Sequence, residues 1–452
     1  MTNDSTRFHV GQMFTPGTGL IYTVRGLDPK AVYFCDSFRR HEKLTVISQF
    51  HPTLDADGID MDLAELGFAR FSPDGIAGYT KGEVSSGYAV FMRVALYLRR
   101  YFIGPDDVID ILATYVLLTY VYSVADTVPY LHLVGEPATG KSLVGDLLES
   151  LCFNARLASN ITSAAVYRLL HATSGTLLVD EQGAGDARWQ AVLRAGYRRS
   201  GAVTICEGRR PVDRRCFGPK VLITNEPLRD AALASRTINL VFEKTATTAQ
   251  PYSATAAAPE AAALCDMLHV FGLTYAKEIW DAYRTRKPIP GISHREEDLA
   301  ALPLAVATIA DCSAPSGWSL HERLVAFFVN AAKARAENYT TDGELPAIAR
   351  AIIEFVANRD DTLGKAYVWG GHDDWYLVVD FTRFANRTGE LGRTMSTRVM
   401  AERLRRHRLI VDRQVINVPP IAGGLSLKGQ RIQKVAYRFD LTRAKAAAGG
   451  AP

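Results

Sequence analysis

The segment Gly135-Glu136-Pro137-Ala138-Thr139-Gly140-Lys141-Ser142 constrains this chain more than any other part of it. It satisfies G-x-x-x-x-G-K-[ST], continues the short apolar run YLHLVG, and opens the amphipathic run KSLVGDLLESLC. Strand, loop and helix in that order give the pattern its meaning. The glycines let successive backbone N–H groups and a helix N-terminus face an anion. Lys141 is expected to reach the β- and γ-phosphates of ATP, and the Ser142 hydroxyl to ligate Mg2+. Gly135 to Ser142 are thus the expected nucleotide-binding residues.

Further runs extend the same chemistry. TLLVDE, from Thr176 to Glu181, is an apolar strand ending in two acids. Asp180 is expected to hold the Mg2+ shell with Ser142, and Glu181 to polarise the attacking water. VLITN ends in Asn225. In additional-strand ATPases a polar residue at this place touches the γ-phosphate or orients the water, although Asn is also a common turn residue. Arg236 precedes the apolar run TINLVF and suits an arginine finger reaching a neighbouring subunit's nucleotide, or alternatively a surface ion pair. The catalytic set read from the sequence is therefore Lys141, Asp180, Glu181, Asn225 and Arg236.

The texture around these runs is α/β. Strand candidates NARLAS, TLLVDE, AVTICEG, PKVLITN and TINLVFE alternate with helical patterns, which argues for a mostly parallel sheet. Residues 1–85 (GLIYTVRG, AVYFCDSF, LTVISQFH) read as a small β-rich domain. Residues 86–127 read as a helical segment split at Gly104-Pro105, and 128–245 as the phosphate-loop core. The Ala/Thr/Ser/Pro-rich stretch TATTAQPYSATAAAPEAAA reads as a flexible connection into a helical region within 246–340. Residues 341–443 run helix, strand, helix, helix, two strands, the order of a winged helix. The tail 444–452 is expected to be disordered.

Composition excludes several classes. Hydrophobic residues make up 48% and charged residues 22%, ordinary for a packed core and not for a disordered chain. The polar start TNDSTRFH is not a signal-peptide core. The longest uncharged apolar run, Ile111 to Ala125, has 15 residues, short of the ~20 needed to span a bilayer. A soluble, cytoplasmic chain with no membrane partner is expected. The 6 cysteines and 10 histidines are scattered singly, so reduced core thiols are expected and a protein-held zinc is not.

GEPATGKS, TLLVDE, VLITN and LASRTINLVF, in that order and spacing, resemble an AAA+ ATPase. More narrowly, the chain resembles superfamily three and primase-associated helicases of viruses, phages and mobile elements. SNITSAAVYRLL, RAGYRRSG and REEDLAALPLAVATIAD are similar to segments of a primase-associated ATPase family. The resemblance covers roughly residues 105–315; residues 1–100 carry no primase or nuclease motif. It implies an AAA+ P-loop ATPase core, so the expected fold class is α/β: that core together with the β-rich N-terminal domain, the helical segments and the C-terminal winged-helix domain read from the residues above. It also implies a homo-oligomeric ring, a hexamer, with a primase or replication protein as a possible partner.

Two basic regions point to DNA. Residues 194–220 hold eight basic residues against Glu207 and Asp213. Within them AVTICE-GRRP-VDRRCF reads as two short strands around a turn. In the helicases the chain resembles, a hairpin here lines the ring's channel, so Arg209, Arg210 and Arg214 are candidate contacts to single-stranded DNA. The bland reading is a solvated charged loop or a subunit contact. Residues 381–452 carry 15 Lys/Arg against 4 Asp/Glu. There Arg398, Arg405 and Arg406 are candidate duplex contacts, or a basic face on a packing domain. The expected function is a Mg-ATP-dependent DNA helicase or translocase of a phage or mobile element. The competing readings are an AAA+ initiator or loader that remodels protein–DNA complexes without unwinding, and a non-DNA P-loop kinase.

Overall fold

The computed structural model describes residues 11–25, 31–51, 54, 68–159, 163–180, 187–207, 210–225, 227–228, 230–243, 249–340, 375–378, 409–418 and 432–440. The chain divides into two compact units, Met1–Ala332 and Lys333–Pro452.

The first unit opens with an antiparallel sheet, β1 (Gln12–Thr15), β2 (Gly19–Arg25), β3 (Val32–Asp36) and β4 (His41–Lys43), paired in chain order. Side chains alternate across it. Phe14, Leu20, Tyr22 and Val24 enter the main core, while Met13, Ile21, Val32 and Phe34 pack with Leu44, Ile47 and Leu54. β2 and β3 are buried on both faces and so have few polar positions, whereas β4 at the edge is His-Glu-Lys and mostly exposed.

The expected strand LTVISQFH is instead a 3-10 turn (Leu44–Val46) and a short helix α1 (Ile47–Phe50). Leu44 and Ile47, three residues apart, are its buried positions, a helical spacing that a short apolar run does not distinguish from a strand's. Helix α2 (Pro73–Lys81) was also unanticipated, although Ser72 caps it by accepting from the Gly75 N–H and Pro73 fills its first turn. Helices α3 (Gly87–Tyr101) and α4 (Asp106–Thr119) break at Gly104-Pro105 as expected. From Ile109 to Thr119 every α4 side chain is buried, so its apolarity comes from position in the core. No helix among the described residues is long and apolar enough to cross a membrane.

The central layer alternates strand and helix: β5 (Tyr130–Gly135), α5 (Lys141–Leu151), β6 (Arg156–Ser159), α6 (Ser163–Thr173), β7 (Leu177–Asp180) and α7 (Ala187–Ala195). A hairpin of β8 (Ala202–Glu207) and β9 (Arg210–Arg215) follows, then β10 (Lys220–Thr224), α8 (Ala231–Ala234) and β11 (Thr237–Phe242). The five core strands lie in the order β11-β5-β10-β7-β6, all parallel. The fold is thus mixed α/β with a parallel sheet. β10 lies between the strand that leads into the Gly135–Ser142 loop and the strand that ends in Asp180.

Lys220 opens β10 fully buried, its Nζ donating to the carbonyls of Cys216 at 2.8 Å and Gly218 at 3.0 Å. It lies 4.8 Å over the Tyr130 ring, and burial pushes its ammonium down to about 8. These bonds anchor the segment joining the hairpin to β10.

Helices α9 (Ala254–Thr285), α10 (His294–Asp311) and α11 (Leu320–Thr340) follow. The stretch expected to be a flexible connection is helical from Ala254 on, with Ser253 capping the Ala256 N–H and Pro259 inside the helix. Alanine's high helix propensity and packing of Ala257 and Ala261 into the core outweigh the lost proline donor. In the second unit β12 (Trp375–Val378), β13 (Ile410–Val418) and β14 (Ile432–Asp440) form an antiparallel sheet in the order β12-β14-β13. These are the three strands expected there. The expected helices between residues 345 and 407, with Arg398, Arg405 and Arg406, lie outside the described residues, as does the tail.

Candidate nucleotide-binding site

In a parallel sheet all strands end at one edge, and ligands bind in the crevice beyond the carboxyl ends. At that edge a cavity of about 330 Å³ is lined by Pro137, Ala138, Thr139, Gly140, Lys141, Ser142, Leu143, Asp180, Thr224 and Asn225. The structure therefore brings together most of the loop, Asp180 and Asn225, which the sequence separates widely. A larger cavity of about 720 Å³, lined by Arg25, Arg70, Phe71, Arg156 and Asp266 among others, contains none of the expected site residues.

Local backbone geometry shapes the loop. Gly135 ends β5 in register with Phe242, and a β-carbon there would collide with the Phe242 carbonyl oxygen. Ala138 at φ 64° and Gly140 at φ 90° then turn the chain through left-handed conformations, which glycine adopts readily. No side chain caps α5 at Gly140, and its first turn holds no acid. Its leading N–H groups are thus available as anion donors, reinforced by the helix dipole.

Lys141 is 6% exposed. Its Nζ donates to the carbonyls of Gly135 at 2.7 Å and Glu136 at 2.6 Å. Thr139 Oγ1 donates to the Glu136 carbonyl at 2.8 Å. The lysine is folded into the loop, with its charge at the cavity wall.

One carboxylate shares the cavity. Asp180 is the last residue of β7, beside Ile223 of β10 and Ser159 of β6. On α5, Asp146 has its carboxyl raised above the usual range, by burial first and then by the charges of Glu149 and Asp180. Among the described residues no group of three or more His, Cys, Asp or Glu could hold a metal ion. One hydroxyl and one carboxylate on a shared cavity suit Mg2+, which takes its remaining ligands from water and substrate phosphates.

Glu181 and Arg209 lie outside the described residues. The expected hairpin is present, with Glu207 paired to Arg210 and Val203 to half-buried Arg214. Arg236 does not join the cavity. It precedes β11, whose first residue pairs with Tyr130 and whose last pairs with Gly135. At ~3.3 Å per residue the arginine stands roughly 17 Å or more from the loop, at the opposite end of the sheet. There it donates to the Ala232 carbonyl and lies 5.8 Å over the Tyr197 ring.

Two residues of this region were missed by sequence reasoning. Thr224 lines the cavity. His132, in the middle of β5, is 2% exposed, with Nε2 2.8 Å from Thr224 Oγ1 and Nδ1 3.0 Å from Asn239 Oδ1. Burial lowers its pKa, opposed by the Asn239 hydrogen bond. The available signal was a histidine inside an otherwise apolar strand.

No protein-family model and no curated protein matches the chain. Among solved structures it is similar to the SCCmec type IV Cch active helicase, at 14% identity and TM-score 0.44, covering 98% of this chain and 80% of that one. It is also similar to the apo NrS-1 C-terminal region, at 11% identity and TM-score 0.36, covering 93% and 96%. For the JCV helicase the identity is 13% and the TM-score 0.23, covering 50% and 62%.

Proposed function

We propose that the chain is a Mg-ATP-dependent motor ATPase that assembles into a ring and translocates on or unwinds DNA. The observation that carries this reading is the cavity itself: phosphate loop, Lys141, Ser142, Asp180 and Asn225 line one crevice, with β10 between β5 and β7. Loop N–H groups and Lys141 bind the triphosphate, Ser142 and Asp180 hold Mg2+, Glu181 activates water and Asn225 orients it. When bound, Mg2+ neutralises phosphate charge.

Two features support a moving assembly. Arg236 is too far from its own chain's loop to act there, so it serves the nucleotide of a second copy. The hairpin feeds directly into β10, whose far end reaches the cavity, so Arg209, Arg210 and Arg214 shift with nucleotide state and pull on single-stranded DNA. The basic residues 381–452, Arg398, Arg405 and Arg406 among them, hold duplex DNA through phosphates. The test is strand displacement on forked DNA with ATP and Mg2+, beside ATPase with and without DNA. Displacement with DNA-stimulated turnover is expected. Stimulated ATPase without displacement indicates a remodelling initiator or loader, and ATPase indifferent to DNA overturns the reading.

A further inference from the structure

Three adjacent strands of the sheet, β5, β10 and the edge strand β11, read YLHLVG, KVLIT and TINLVF. Away from their first residues, the polar side chains in these runs are His132, Thr224 and Asn239, and all three are joined. His132 bridges Thr224 on one neighbouring strand and Asn239 on the other. Asn239 Oδ1 also lies 2.9 Å from Thr237 Oγ1, and Thr237 follows Arg236. A polar chain thus crosses β10, β5 and β11 from the cavity wall to the Arg236 corner.

Stability alone does not call for this chain. A buried imidazole gains little net energy from its hydrogen bonds, while an aliphatic residue in an apolar strand gains transfer free energy. The chain does have a chemical consequence. A neutral imidazole has one N–H. With Nδ1–H donating to the Asn239 carbonyl oxygen, Nε2 is an acceptor, and the Thr224 hydroxyl must donate to it. The hydroxyl proton is then directed into the sheet, and the Thr224 oxygen presents acceptor lone pairs on the cavity side.

We infer that His132 is a positioning residue of the nucleotide site, which fixes the Thr224 hydroxyl as an acceptor at the cavity and links it through Asn239 to the Arg236 end of β11. The inference rests on the ATPase reading of the same site. Removing the His132 acceptor removes that constraint on the Thr224 hydroxyl proton, and misdirected groups cost turnover more than binding.

The experiment is a kinetic double-mutant cycle on the full chain, with binding of a fluorescent ATP analogue measured in parallel. His132→Phe is expected to lower kcat about tenfold while analogue affinity stays within about threefold. His132→Gln, which retains a donor and an acceptor, is expected to restore most of the turnover. Thr224→Val should lose as much as His132→Phe, and the double variant should be no worse than either single one. Asn239→Leu, which leaves the cavity lining intact, should also lower kcat.

Additive losses overturn the inference. So does a Gln variant no better than Phe, or full turnover in Asn239→Leu. Should His132→Phe fail to fold, Thr224→Ser against Thr224→Val decides, because only serine keeps the hydroxyl: equal rates overturn the inference. Lys141→Ala separates the two failures. Wild-type turnover that does not depend on Lys141 sinks the ATPase reading, whereas Lys141-dependent turnover indifferent to His132 sinks this inference alone.

Discussion

Lys141 Nζ donates to the Gly135 carbonyl at 2.7 Å, closing the loop on itself between the end of β5 and the start of α5. On the proposed reading, a bound nucleotide would exchange these carbonyl partners for phosphate oxygens. Lys141→Ala is expected to abolish ATP binding in calorimetric titration. Glu181→Gln is expected to retain binding and lose turnover, because that acid acts on water. Normal hydrolysis by Glu181→Gln removes it from the mechanism.

Gly135 is fixed by a backbone collision, and the Phe242 carbonyl cannot rotate away as a side chain does. Gly135→Ala should therefore cost about 3 kcal/mol or more, or prevent folding. Gly17, where an added β-carbon meets nothing within 4 Å, is the control. Gly17→Ala should stay within about 0.5 kcal/mol in urea melts. Equal midpoints for the two variants refute the close approach.

If Arg236 serves a second copy, Arg236→Ala protein and Glu181→Gln protein, each inactive alone, should recover part of the ATPase when mixed. A mixed interface then pairs an intact cavity with an intact arginine. No recovery at any ratio, together with a monomer fully active on dilution, excludes action between copies.

His269 is 1% exposed and stacks on Phe71 at 4.9 Å, with Nδ1 donating to the Cys265 carbonyl at 2.6 Å. Among the described residues its Nε2 has no partner. Burial, and after it the charge of Arg70, bring its pKa down to about 3 against the Cys265 hydrogen bond. Between there and the ordinary ~6.5 the unfolded chain binds a proton that the folded one does not. Stability is therefore complete above ~6.5 and falls with acid by about 1.4 kcal/mol per pH unit. His269→Leu should flatten the fall in unfolding midpoint between pH 6.5 and 5. Parallel pH profiles for the two proteins overturn the assignment.

The strands of the parallel sheet and the Gly135–Ser142 loop were legible because each is a short run whose period and punctuation carry the information. Asp180 and Asn225 were legible because acids and amides after apolar strands face the same edge once the strands are parallel. The His132–Thr224–Asn239 chain was not, since it depends on which strands are neighbours, and β10 enters the sheet out of sequence order. Leu44–Phe50 misled because four apolar residues in seven fit a strand or a helix. The run before Pro259 misled because proline and threonine mark loops, yet Ser253 and the alanines make a helix start.

The strand order also bears on how the chain is made. β5 pairs with β10 and β11, which begin only at Lys220 and Thr237. As the polypeptide leaves the ribosome, Tyr130–Gly135 emerges with no sheet neighbour, gains its first only when Thr224 has followed, and its second with Phe242. An unpaired apolar strand is a template for association with other chains. Translation stalled between Gly135 and Thr224 therefore leaves a nascent chain prone to aggregate, and further synthesis ends that exposure by supplying both partners within a short stretch of chain.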